Sequence, residues 1–420
     1  MTLPRLLLTL VLGLSLLGRA SPAQAAQIGF KAQPYGGFDA TSGGPITGEK
    51  PESKLWQHDG AWWAAMIVPS QNGAHTIHHL EGTSWVDTGV VIDALPSSKE
   101  DVLSLGDTLY VTSRNSWTLN RFTYASGAYQ KDAGFPVALP VTIAETLTIA
   151  RDSNGVLWIT WEQSGQVMVA RSDGSDTAFS APFVLPTSGA DDLNTDDISS
   201  VISFWDNNGP AIGVMWSNQT DQKQYFAVHR DGAPDSAWSE ETALSGPNEA
   251  DDHLNLKTTG GSVFAVTKTG VSDVTLPIIR LLVRSPGGDW STFPVALYSD
   301  SMSLRNTRPI TELLIDAANR DIYVFMARGE GSAVGGIEYK RSKLDRIAFS
   351  DTATPFIIGG NGEPINDATS AKQVSDSQTG IVVMASDGTH YWWNRLGGDP
   401  SGSATPATPN CPRPPRGCTS

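Results

Sequence analysis

The stretch "GVLWITWEQSGQVMVARSDG", Gly155 to Gly174, sets two short runs of Val, Ile, Leu, Met and Trp on either side of a polar turn ending at Gly165. Runs of that length, rich in β-branched and aromatic residues and bounded by Gly and Asp, read as an antiparallel hairpin. "DTLYVTSRNSWTLNRFTYASG", Asp107 to Gly127, has the same form, and helical periodicity is nearly absent elsewhere beyond the N-terminus.

The hairpins recur. Units begin at Ser53, Glu100, Glu145, Asp196 and Asp251, and near Arg308 and Asp367. Their spacing of about 45 to 58 residues is that of propeller blades and too long for most helical repeats. Each unit reads as four strands: a first with a polar start, a strongly apolar second, a mixed third and a fourth after a Gly-rich turn. The expected fold is therefore all-β, a seven-bladed β-propeller of four-stranded antiparallel blades, with six or eight blades as alternatives. The seventh unit lacks a fourth strand of its own. "QIGFKAQPYGGF", from Gln27, is the candidate to supply it, because an open ring would leave two sheet edges exposed.

The ends of the chain have other compositions. Arg5, the apolar run Leu6–Gly18 and the small-residue site Ala23-Gln24-Ala25 predict a signal peptide over residues 1–25. The run is too short to span a bilayer comfortably. Secretion, or a periplasmic or cell-surface location, is the expectation. Residues 26–52 form an N-terminal segment, 53–397 the propeller, and 398–420 a Pro/Ser/Thr-rich tail too poor in apolar residues to pack. The only two cysteines, Cys411 and Cys418, lie in that tail and suit a small disulfide loop in an oxidising compartment.

A net charge of −15 excludes nucleic acid as a partner, since phosphate backbones are bound by clustered Lys and Arg. It suits a protein that holds cations or neutral sugars, and it would repel an anionic glycan. Polar residues gather where the first strands begin: Lys54, Asp101, Glu145, Asp197, Asp252 with His253, Arg308 and Asp367. In a propeller those starts meet around one mouth of the central channel. Lys54, Asp101, Glu145, Asp197, Asp252 and Asp367 are thus the candidate ligand-binding set, and His253, Asp252 and Arg308 the candidate catalytic set. Carboxylates around one mouth also suit Ca²⁺. The plainer alternative is that Asp and Asn serve the turn backbones. His253 decides between these uses by facing either the channel or a blade interface. "HTIHHLEG", His75 to Gly82, puts only two imidazoles on one face and reads as an exposed third strand, not a zinc site.

Degenerate Asp-box hairpins, "RSDGSDTAF" at Arg171, "HRDGAPDSAW" at His229 and "RSPGGDW" at Arg284, give the chain a resemblance to secreted bacterial seven-bladed propellers of the sialidase-like type. Sialidases carry three convergent arginines and a Tyr–Glu pair, whereas Arg308 is the one arginine at a first-strand start here. Polysaccharide lyases are built on similar propellers with His, Tyr, Arg or Lys at the mouth, which the resemblance maps onto His253, Arg308 and Lys54. The functional expectation is an exported propeller that binds an extracellular glycan or protein at an acidic mouth. The alternatives are a carbohydrate-active lyase or hydrolase using His253 and Arg308, and a protein-interaction scaffold with structural calcium.

Overall fold

The computed structural model describes residues 27–38, 46–48, 50–297, 309–327 and 335–398. They form seven antiparallel sheets of four main strands, the second sheet carrying one further short strand, Ala128–Lys131. The innermost strands are Leu55–His58, Lys99–Leu105, Leu147–Arg151, Ser199–Asp206, Leu254–Thr259, Ile310–Ile315 and Asn366–Thr369, and these define blades one to seven. Residues 1–26 and 399–420, with Cys411 and Cys418, lie outside the described residues.

The hairpin that opened the reading forms as expected. Leu157–Gln163 pairs with Gln166–Arg171, and Gln163 stands opposite Gln166. Ser164 and Gly165 between them have φ of +54° and +75°. Two successive positive-φ residues match the right-handed twist of the flanking strands, so the chain reverses in two residues.

Leu157 to Trp161 are all buried, although a strand with one wet face exposes every second residue. Both faces are covered here. Leu157, Ile159 and Trp161 pack with Leu119 and Phe135 of blade two, whereas Trp158 packs towards Trp216 and Tyr225 of blade four. Each sheet is thus wedged between two neighbours, which is why second strands read as continuous apolar runs. Seven such clusters occur, one for each blade interface. The one joining Val382 and Trp393 of blade seven to Leu55 and Met66 of blade one closes the ring. Seven interfaces that close on themselves exclude six or eight blades.

The fourth strand of blade seven comes from the other end of the chain. Phe30–Pro34 pairs antiparallel with His390–Leu396, and Phe30 lies opposite Trp393. Ile28 exchanges backbone hydrogen bonds of 3.0 and 2.9 Å with Ile358 of blade six.

The inner strands splay apart around the axis and are stitched by side chains. Asp101 of blade two accepts the Ser53 N–H at 2.8 Å and the Ile149 N–H of blade three at 2.9 Å. Thr148 accepts from Val201, Asn255 from Thr311 and Thr369 from Lys54, at 3.0 to 3.1 Å. Each bond satisfies a backbone donor of a buried residue at a strand edge. Asp101 also receives the Lys372 ammonium. Replacing it, Asp101→Ala, strands two N–H groups and a cation, and should cost on the order of 3–5 kcal/mol in urea unfolding. A loss under 1 kcal/mol would show that the stitch is dispensable.

Candidate ligand site

The inner strands begin at one mouth and end at the other, and the two differ. Across the first lie Thr47, Gly48 and residues 50–52, acting as a strap. Thr47 donates to the Asp367 carbonyl and contacts Ser386 Oγ, both at 2.8 Å. Glu52 accepts the Leu147 N–H of blade three at 3.1 Å and lies 3.4 Å from Arg114 of blade two. Lys50 bridges Glu145 and, at 2.8 Å, Asp252. Burial alone would lower the Lys50 pKa, but Asp252 and Glu145 more than offset it, so the ammonium is held charged above its ordinary value.

This arrangement assigns the residues expected at the mouth. Lys54 and Asp101 are buried, the former reaching Glu52 at 3.3 Å and the latter stitching blades. Asp197 accepts the Asn194 N–H at 2.8 Å and the Gln219 N–H, which is turn chemistry, and burial raises its pKa. Asp367 is buried with φ of +61° and offers its carbonyl to the strap. Glu145 and Asp252 do converge, through Lys50. Arg308 lies outside the described residues. The mouth is therefore not an open acidic ring: the chain's own strap lies over it, and Lys50 pairs Glu145 and Asp252.

His253 is 1% exposed and turns towards this mouth, beneath the strap. Its Nδ1 meets Asp252. Its Nε2 has no hydrogen-bond partner among the described residues, and the ring borders a void of about 10 Å³ with Gly48, Lys50, Pro309 and Asp367. Burial would raise the Asp252 carboxyl, yet His253 and Lys50 hold it well below the usual carboxylate range. Asp251, Asp252 and His253 are the one group among the described residues close enough to share a metal ion. Lys268 lies 2.9 Å from Asp251 and Lys50 2.8 Å from Asp252, so Ca²⁺ would have to displace two ammonium groups.

"HTIHHLEG" also differs from its expectation. His75 and His78 are buried, not exposed. His75 Nδ1 lies 2.7 Å from Glu100 and Nε2 lies 3.2 Å from the Pro96 carbonyl, tying blade one to blade two. Burial opposes ionisation of Glu100, but His75, Lys54 and Lys99 bring its pKa down to about 2. Strand alternation put His75 on a face, and only blade packing made that face an interior one.

Towards the other mouth, the channel widens into a cavity of about 300 Å³. Pro51 of the strap and Ser53 stand at its inner end, and its solvent-reaching lining lies late in the inner strands. It is a blind pocket. Arg151, Lys257 and Lys372 line it, and no Asp or Glu does. Hydroxyls and amides from Ser104, Ser203, Thr258, Asn255 and Gln373 fill the polar wall, with Leu103, Ile202 and Leu256 between them. Lys257 is held by Glu312 at 3.1 Å and by the Ala371 and Gln373 carbonyls. Lys372 donates to Asp101 and, at 2.7 Å, to the Ile149 carbonyl. Arg151 is exposed and gives its Nε–H to the Gly155 carbonyl, with no carboxylate partner among the described residues. The strand starts drew the sequence reading away from these groups. The available signal was the position of Arg151 and Lys257 within inner strands, where a charge has no core to pack into.

No family model matches the sequence, and no curated protein does. Among solved structures, an ulvan lyase of polysaccharide lyase family PL25 is similar at 12% identity and TM-score 0.51, covering 89% of this chain and 97% of that one. The polysaccharide lyase Uly1 is 11% identical at TM-score 0.45, over 90% of this chain and all of that one. The endosialidase of phage phi92 is 11% identical at TM-score 0.43, over 94% and 72%. At these identities the likeness is one of fold.

Two predictions follow from the charges. Burial pushes Glu312 up to about 7 in spite of Lys257. The folded chain then binds this proton more tightly than the unfolded one, so the stabilisation is complete below pH 4.5 and is lost as pH rises towards 7. Urea midpoints from pH 5 to 8 should decline less steeply in Glu312→Gln than in the wild type, and parallel curves would refute the shift. Carbethoxylation mapped by peptide mass should leave His253 protected in the wild type. In Lys50→Met it should react several-fold faster, because the strap loses its anchor to Glu145 and Asp252. Equal protection in both would show that the strap does not depend on Lys50.

Proposed function

We propose that this protein is an exported saccharide-binding propeller that holds an acidic glycan in the blind pocket at the mouth where its inner strands end. The observation that carries this reading is a carboxylate-free, cation-bearing cavity inside a chain of net charge −15. Low-dielectric walls focus such a local field and concentrate anions against the charge of the rest of the surface. Arg151, with no carboxylate on it, is placed to take a carboxylate or sulfate in a forked hydrogen bond. Ser, Thr, Asn and Gln side chains match sugar hydroxyls, and the leucine and isoleucine faces match the C–H face of a pyranose ring. A cavity of about 300 Å³ is at the small end of those that hold small ligands. The similarly folded ulvan lyase is a polysaccharide lyase, which agrees with a saccharide ligand.

Binding is favoured over bond cleavage because both lysines of the pocket are engaged, Lys257 by Glu312 and Lys372 by Asp101, and no His, Tyr, Cys, Asp or Glu is among its described lining residues. One observation favours a second reading, a carbohydrate-active enzyme: the His253–Asp252 pair has the form of an oriented general base. Under the strap, however, the imidazole is 1% exposed. Calorimetry against acidic polysaccharides, run beside assays for reducing ends and unsaturated uronates, separates the two. Binding without product, weakened at least about tenfold in Arg151→Met and unchanged in His253→Ala, is the expected result. Product formation that disappears in His253→Ala would replace the binding reading with the enzymatic one. Export predicts that the protein recovered outside the cytoplasm begins at Ala26, and a retained Met1 would contradict it.

A further inference from the structure

Of the thirteen tryptophans, twelve are buried or half-buried, and Trp205 alone is exposed, at 64%. It lies next to last in the inner strand Ser199–Asp206, which also gives Ser200 to Ser203 to the pocket wall. Residues two apart share a side of a strand. Val201, Ser203 and Trp205 therefore face alike, and Val201 packs towards blade three. An exposed indole thus stands at the end of this inner strand, about 7 Å along it from Ser203 of the pocket wall. That step is roughly the length of one sugar ring.

The other end of the same channel is shut. Among the described residues, Pro51 and Ser53 close the pocket, and the strap that carries Pro51 is pinned to blades two, three, five and seven through Glu52, Lys50 and Thr47. A polymer cannot thread through. Nothing about glycan binding as such requires a blind channel or a naked tryptophan at its lip, and the two together restrict how a chain can enter.

We propose that the site reads the end of a glycan chain: the terminal sugar enters the blind pocket and the next ring stacks on Trp205. This rests on the saccharide-binding reading above and adds a direction and a length to it. The indole offers a flat apolar face to the C–H side of a ring, and an exposed aromatic keeps that face without any rearrangement of the protein.

Calorimetry with galacturonic acid and its oligomers of two to six residues, with hyaluronan- and alginate-derived ladders in parallel, tests it. Affinity should step up about tenfold from one ring to two and then stay level. In Trp205→Ala the step should vanish while affinity for the single sugar is unchanged, and the exposed side chain can be removed without disturbing the core. For long polymers, affinity counted per chain should stay constant with length. A step that survives in Trp205→Ala overturns the proposal. So does affinity that stays constant when counted per residue, because it means that internal segments bind. Single-sugar binding with no step overturns this inference and leaves the saccharide reading standing, whereas silence towards every ladder and monosaccharide overturns both.

Discussion

Each blade turns one strand edge towards the axis, and the backbone N–H groups on that edge have no strand to pair with. Asp101 meets this constraint most completely: one carboxylate takes donors from the segments leading blades one and three and balances Lys372. Thr148, Asn255 and Thr369 do the same with neutral oxygens. The ring is thus stitched at its narrowest point by side chains, while seven apolar clusters hold it further out. Because polar groups at inner-strand starts are needed for this work, a cluster of them is no sign of an open site.

The strap follows from the same shortage of partners. Of the residues between the strand closing blade seven and blade one, Thr47, Lys50 and Glu52 lie across the channel mouth. Glu52 supplies an acceptor for Leu147, and Lys50 neutralises Glu145 and Asp252. A mouth rich in carboxylates, which in isolation would suit a cation, is satisfied from within. The opposite mouth is left with Arg151, which has no carboxylate partner among the described residues, the half-exposed Lys372 and the indole of Trp205. Function is placed there because the fold has already used the chemistry at the other end.

Buried charge sets the pH behaviour of the assembly in two opposing ways. Glu100 is surrounded by cationic partners and ionises readily despite burial, whereas Glu312 has Lys257 beside it and still titrates near 7. The number of opposing charges in contact decides the sign, since desolvation acts on both alike.

The amino-acid order by itself determined the strands, the two-residue turn at Ser164-Gly165 and the four-strand units, because these depend on local periodicity and on turn residues that act over a few positions; the closing of seven interfaces decided the blade count against six or eight. It also singled out Asp252 and His253, which lie side by side as neighbours in sequence must. The tertiary structure alone decided which way His253 turns, that His75 is interior, and that Lys50, never conspicuous in the sequence, bridges blades three and five. It decided as well that Arg151, Lys372 and Trp205 share one mouth. Contacts across more than a hundred residues depend on how seven sheets are rotated about a common axis, and no spacing along the chain encodes that rotation.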